Sequence, residues 1–175
     1  MVCHHRWMEL GLDQIYEAEK NLSTTGQWVE ADNQRLHLFV PLEIDGVVLE
    51  GLALRGRATK DRPDEEVMLQ LEFPQAKRRE RGIERVDWRP LHIHNNLGRG
   101  PAEFRFLQQS GSHHHVFELN WLAEENRMLA GNLPIARPLN EDPSSYESLL
   151  EFVNKSFRIN DIGLIPPPPW EAFLL

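Results

Sequence analysis

The chain has 175 residues, 41% of them hydrophobic and 26% charged, which is the length and apolar content of one globular domain. Its net charge of −8 argues against broad, sequence-independent nucleic-acid binding, and its single cysteine, Cys3, excludes an internal disulfide framework and Cys-rich zinc modules. No run approaches the roughly 18 uninterrupted apolar residues of a membrane span, and the N-terminus lacks the apolar stretch of a secretory signal, so a cytoplasmic protein with no membrane association is expected.

Taken in chain order, residues 7 to 20 repeat apolar groups (Trp7, Leu10, Leu12, Ile15, Tyr16) at helical spacing and predict a first amphipathic helix. Residues 35 to 44 alternate, with Leu36, Leu38, Val40, Leu42 and Ile44 on one side, and Asp45-Gly46 is a hairpin signal before a second strand at 47 to 55. Val67, Leu69, Leu71 and Phe73 alternate again until Pro74. A fourth strand is expected over Val86 to Asn95, and Phe104 to Gln109 with His113 to Trp121 reads as a further hairpin. Residues 122 to 131 suggest a short helix. Ser144 to Glu147 resembles a capping box, followed by Tyr146, Leu149, Leu150, Val153 and Phe157 on one helical face.

These elements predict an α+β domain over residues 1 to 165: an antiparallel meander of five to six strands with N- and C-terminal helices on one face. Residues 166 to 175 form a proline-led tail, where Pro166 to Pro169 deliver Trp170, Phe173 and Leu174 to a surface on this chain or another.

The chain holds no phosphate-cradling Gly-Lys loop, no Gly-x-Ser-x-Gly and no His-Glu-x-x-His. Its candidate chemistry lies in five histidines, His92-x-His94 and His113-His114-His115. With Leu91, Ile93, Phe104, Phe106, Phe117, Leu119 and Trp121 assigned to the core, alternation puts His92, His94, Arg105, His114 and Glu118 together on the outer face, and His113 and His115 inward. That outer set fits an open site in which His92, His94 and His114 hold a divalent transition metal. It equally fits metal-free phosphodiester chemistry, or a polar sheet face with no further role. His37 stands alone at an outward strand position.

The charge is uneven, because residues 76 to 106 carry eight basic and four acidic side chains. Arg78, Arg79, Arg81 and Arg99 are therefore candidates for an anion site, and nucleic acid would be contacted only through residues 77 to 105.

The order helix, alternating strand, Leu54-Arg55-Gly56-Arg57, Leu69 to Phe73, Pro90-Leu91-His92-Ile93-His94 and a terminal Leu149-Leu150-Glu151-Phe152-Val153 helix resembles small bacterial domains associated with toxin–antitoxin and defence loci. The resemblance covers residues 7 to 160, with His92 and His94 matching its paired-histidine strand. It implies a bacterial, conflict-related role and leaves the mechanism open; the absent catalytic fingerprints fit a partner-binding module in such an assembly, with the tail and the basic middle segment as contact surfaces. A small nuclease or metal-dependent hydrolase using the histidine face is the alternative, and a homodimer sealed by tail exchange is a third reading.

Overall fold

The structure, a computed structural model, describes residues 11–73, 82–129 and 132–171. It contains a large antiparallel sheet and three α-helices. Helix α1 (Leu12–Glu17) is followed by β1 (Asn21–Leu22), β2 (Trp28–Glu30), β3 (Arg35–Ile44), β4 (Val47–Thr59), β5 (Val67–Glu72) and β6 (Gly82–Trp88). Then come β7 (His94–Asn95), β8 (Gln108–Gln109), β9 (His113–His115), α2 (Phe117–Asn120), β10 (Trp121–Leu122), β11 (Arg127–Met128), β12 (Arg137–Pro138) and α3 (Tyr146–Phe157).

The main sheet has eight strands in the order β1, β3, β4, β5, β6, β9, β12, with β2 also paired to β3. The expected meander is present from β3 to β6. The two additional short strands β1 and β2 share one edge of β3, and β12 closes the far edge. Between β6 and β9 the chain leaves the sheet and forms a separate two-stranded ribbon, β7 with β8. No helix among the described residues is long and apolar enough to cross a membrane.

Strict alternation in β3 buries Leu36, Leu38, Val40, Leu42 and Ile44 on one face, as a half-buried strand requires. The β3–β4 turn places Asp45 and Gly46 at φ of 51° and 74°, the pair of left-handed conformations that the Asp-Gly dipeptide favours. Gly56 admits the Trp28 ring, since a Cβ there would lie 2.7 Å from it. On the apolar side, Tyr146, Leu149, Leu150, Val153 and Phe157 of α3 are buried in the same core as Leu12 and Ile15 of α1. The N-terminus of α3 carries a reciprocal cap in which Ser145 and Ser148 each accept from the other's backbone N–H.

Three expectations of local structure are corrected. The first helix is shorter within the described residues, beginning at Leu12, and residues 1 to 10 lie outside them. The expected helix at 122 to 131 is a 3-10 turn at Ala123–Glu125 between the hairpin strands β10 and β11. The expected strand over 104 to 109 is largely turn, and Phe106 is 76% exposed.

The proline-led segment lies on its own domain. Trp28 Nε1 donates to Pro166 O at 3.0 Å, the Glu171 N–H donates to Lys60 O at 2.9 Å, and Trp170 packs edge-to-face on Tyr146 at 5.9 Å between centroids. Phe173 and Leu174 lie outside the described residues.

Candidate metal centre on the outer sheet face

The site forms where the chain departs from the expected fourth strand. Sheet pairing ends at Trp88, Arg89 turns with φ of 46°, and Pro90 cannot donate to a ladder. Residues 90 to 93 then cross the outer face with Leu91 and Ile93 51% and 64% exposed, which overturns their assignment to the core. His94 re-enters order in the β7–β8 ribbon.

This detour removes the parity argument. Phe117 begins α2 directly after the short β9, so its burial says nothing about which way His113 and His115 face. His113 and His115 point outward, opposite Asp87 and Arg85 respectively, and join His94. One ring nitrogen from each of these three lies within 4.8 Å of the others. The set that alternation favoured is dispersed. His114 is buried on the core face against Phe152 and Phe157, His92 is exposed on the rim, Arg105 donates to Gly100 O at 3.3 Å, and Glu118 accepts from Tyr16 OH at 2.9 Å. His114 is therefore not a neighbour of His94, and the candidate metal-ligating set His92, His94, His114 becomes His94, His113, His115. Arg78, Arg79 and Arg81 lie outside the described residues, and Arg99 is exposed on the loop after β7.

Each clustered imidazole has one nitrogen fixed by oxygen. His94 Nε2 lies 3.0 Å from Asn96 Oδ1 and 3.2 Å from Pro134 O; His113 Nδ1 lies 2.8 Å from Gly111 O; His115 Nδ1 lies 2.6 Å from Leu133 O. All of these oxygens only accept, so these nitrogens carry the protons. The second ring nitrogens are His94 Nδ1, His113 Nε2 and His115 Nε2, and the last two face the Asp87 carboxylate. Outer acceptors that fix ring orientation and tautomer in this way are the usual support of metal-ligating histidine.

Two buried amides hold the acceptors in place, and neither residue stood out in the sequence. Asn96 donates to Phe104 O and Ala136 O at 2.7 and 2.9 Å, while its Oδ1 accepts from Ala136 N. Asn120 donates to Val116 O and Ile135 O and accepts from Ile135 N. Together they clamp the segment that presents Leu133 O and Pro134 O. The only available signal for Asn96 was its place just after the His-x-His pair.

Asp87 completes the electrostatics. Its Oδ2 is 3.0 Å from His115 Nε2 and 3.4 Å from His113 Nε2, and it accepts from Arg85 Nε at 2.8 Å. Burial would raise this carboxyl, but the His113 and His115 rings and the Arg85 guanidinium outweigh it and hold Asp87 well below the usual carboxylate range. Burial pushes His115 down to about 4 and also lowers His94, with the neighbouring His113 charge adding to the latter. Arg85 Nη2 also lies 2.6 Å from His115 Nε2.

The cluster opens into a cleft of about 570 Å³, whose other walls include Arg35, His37, Arg57, Met68 and the strap from Pro90 to Ile93. His37 is therefore part of the cleft rather than an isolated outward residue. No family model matches the chain, and no curated protein or solved structure matches it.

Proposed function

We propose that this protein is a divalent transition-metal-dependent hydrolase of phosphate esters, with the ion held by His94, His113 and His115 beside Asp87. The observation that carries this reading is the convergence of three oxygen-pinned imidazoles with an ionised carboxylate. Three nitrogen ligands with an open position make a catalytic rather than a structural site, and such an ion supplies an activated water at neutral pH. In the reaction the water oxygen bonds to phosphorus, the ester P–O bond breaks, and the water proton ends on the departing oxygen. Arg85, still bound to Asp87 through Nε, turns its other nitrogens to the charge that develops on the phosphoryl oxygens.

Zinc titration followed by calorimetry tests the site, and bis(p-nitrophenyl) phosphate hydrolysis tests the activity. One equivalent should bind to the native protein and none to His113→Ala, with turnover abolished by a chelator. Failure of zinc, nickel, cobalt and manganese alike to bind at stoichiometry would overturn the reading.

The second reading is a partner-binding module of a toxin–antitoxin-like or defence assembly in the cytoplasm. Exposed Val29 and Val48 on the β2 and β4 surface support it, together with the resemblance of element order.

A further inference from the structure

We infer that Arg85 is an internal competitor for the metal position, closing the site in the ion-free protein and turning into the cleft only when an ion takes its place. The inference rests on the metal reading above, and its test separates the two.

Arg85 in β6 is directly opposite His115 in β9, so the two side chains leave the sheet together on the outer face. Its Nη2 lies 2.6 Å from His115 Nε2 and 3.3 Å from His115 Nδ1, while its Nε donates to Asp87 Oδ2 at 2.8 Å. One guanidinium therefore straps together the imidazole and the carboxylate that flank the metal position. A guanidinium only donates, so at this distance it makes the same demand on Nε2 as a metal ion does, an unprotonated nitrogen.

Charge makes the competition exclusive. Zinc bonds imidazole nitrogen at about 2.1 Å, so an ion on His115 Nε2 falls within about 4.7 Å of Nη2 whatever its direction. The Arg85 side chain is only 16% exposed, so little water screens a divalent ion from the guanidinium at that separation, and the two repel. The guanidinium must withdraw, with its Nε bond to Asp87 as the pivot. Among the described residues Nη1 makes no hydrogen bond, and Arg85 lines the cleft, so the open direction is toward the substrate side. Ion loading thus presents the cation that a phosphoryl group meets, and it fixes an order: ion first, anion second.

The test is zinc affinity, measured by competition with a chromophoric chelator, in the native protein, Arg85→Gln and Arg57→Gln. Arg85→Gln should bind zinc about tenfold tighter or more, because the competing charge is gone. Arg57 lines the same cleft but stands three strand spacings from His113, roughly 14 Å and beyond the screening length at about 0.1 M salt, so Arg57→Gln should change the affinity less than about twofold. Side-chain nitrogen–proton correlation spectra of the native protein give a second readout that needs no variant to fold. The Arg85 Nη protons, slowed by the His115 contact, should broaden when zinc is added, while the Nε proton held by Asp87 persists. Equal or weaker zinc binding by Arg85→Gln, an equal gain in Arg57→Gln, or Arg85 Nη signals unchanged by bound zinc would each overturn the inference, and with stoichiometric zinc on the native protein would do so without touching the metal reading. Zinc held by Arg85→Gln but not by the native protein supports the competition and defeats the hydrolase reading. Zinc held by neither defeats both.

Discussion

His113 and His114 are adjacent in β9 and serve opposite sides of the sheet: His113 Nε2 lies 3.4 Å from Asp87 Oδ2 on the outer face, and His114 Nε2 lies 2.5 Å from Glu84 Oε1 in the core. Burial pushes His114 down to about 4 and raises Glu84 well above its ordinary value, so burial disfavours the charged form of both partners.

The two histidines should therefore fail differently. His114→Ala leaves Glu84 without its partner and opens a cavity, costing roughly 2 to 4 kcal/mol in chemical denaturation while zinc still raises the melting temperature. In His113→Ala the zinc-induced rise should vanish, because only a ligand that binds the folded state stabilises it. A zinc response that survives in His113→Ala would contradict the assignment.

The sequence patterns that proved legible are those imposed by one buried face. Leu36 to Ile44 could not alternate otherwise, and Leu149, Val153 and Phe157 share a side because helix α3 has one side to bury. The site was not legible for a matching reason. From Arg89 to His113 the backbone is held by Asn96 and turns, which leave no period in the sequence. Leu91 and Ile93 imitate strand alternation while lying exposed, and Pro90 was the one residue that marked the exit. Reading parity through that proline placed His114 with His94 and removed the two histidines that do meet it.

Leu149 is fully buried where α3 meets the sheet core. Leu149→Ala should cost about 2 to 5 kcal/mol in urea unfolding, the range for a buried leucine that leaves a cavity. The neighbouring exposed Glu147→Ala should change stability by no more than about 0.5 kcal/mol. Equal effects at the two positions would contradict the packing described for this helix.

The proline-led segment should act as a strap on its own chain. Ending the chain after Ile165 removes the Trp28–Pro166 hydrogen bond, the Lys60–Glu171 ion pair and the contact of Trp170 with Tyr146. Most of the expected loss comes from the indole, since partial burial of one large apolar side chain is worth about 1 to 2 kcal/mol and the exposed ion pair contributes little. The melting midpoint of the truncated monomer should fall. An unchanged midpoint would mean that the segment contributes nothing to the isolated fold.

Lys20 offers a pH test independent of the histidines. Its side chain is fully buried, and Nζ donates to Tyr16 O, Ala18 O and Phe157 O at 3.1, 2.6 and 3.2 Å. Burial pushes the ammonium down to about 8, with Glu84 limiting the drop. In the unfolded chain the same group titrates near 10.4. Between about pH 8 and pH 10 the unfolded state thus keeps a proton that the folded state has released, so stability rises with pH over that interval. Below pH 8 both states hold the proton and this contribution to the slope disappears. Tyr16 and Tyr146, both raised by burial, act in the opposite sense only as pH passes about 10. Urea unfolding at pH 7.5, 8.5 and 9.5 should show a gain on the order of 2 kcal/mol across the series. Lys20→Met should lose that gain, although three carbonyls are then left without a donor and the variant is less stable throughout. A native profile that is flat or falling from pH 8 to 9.5, or one that Lys20→Met reproduces, would show that Lys20 stays charged in the folded protein.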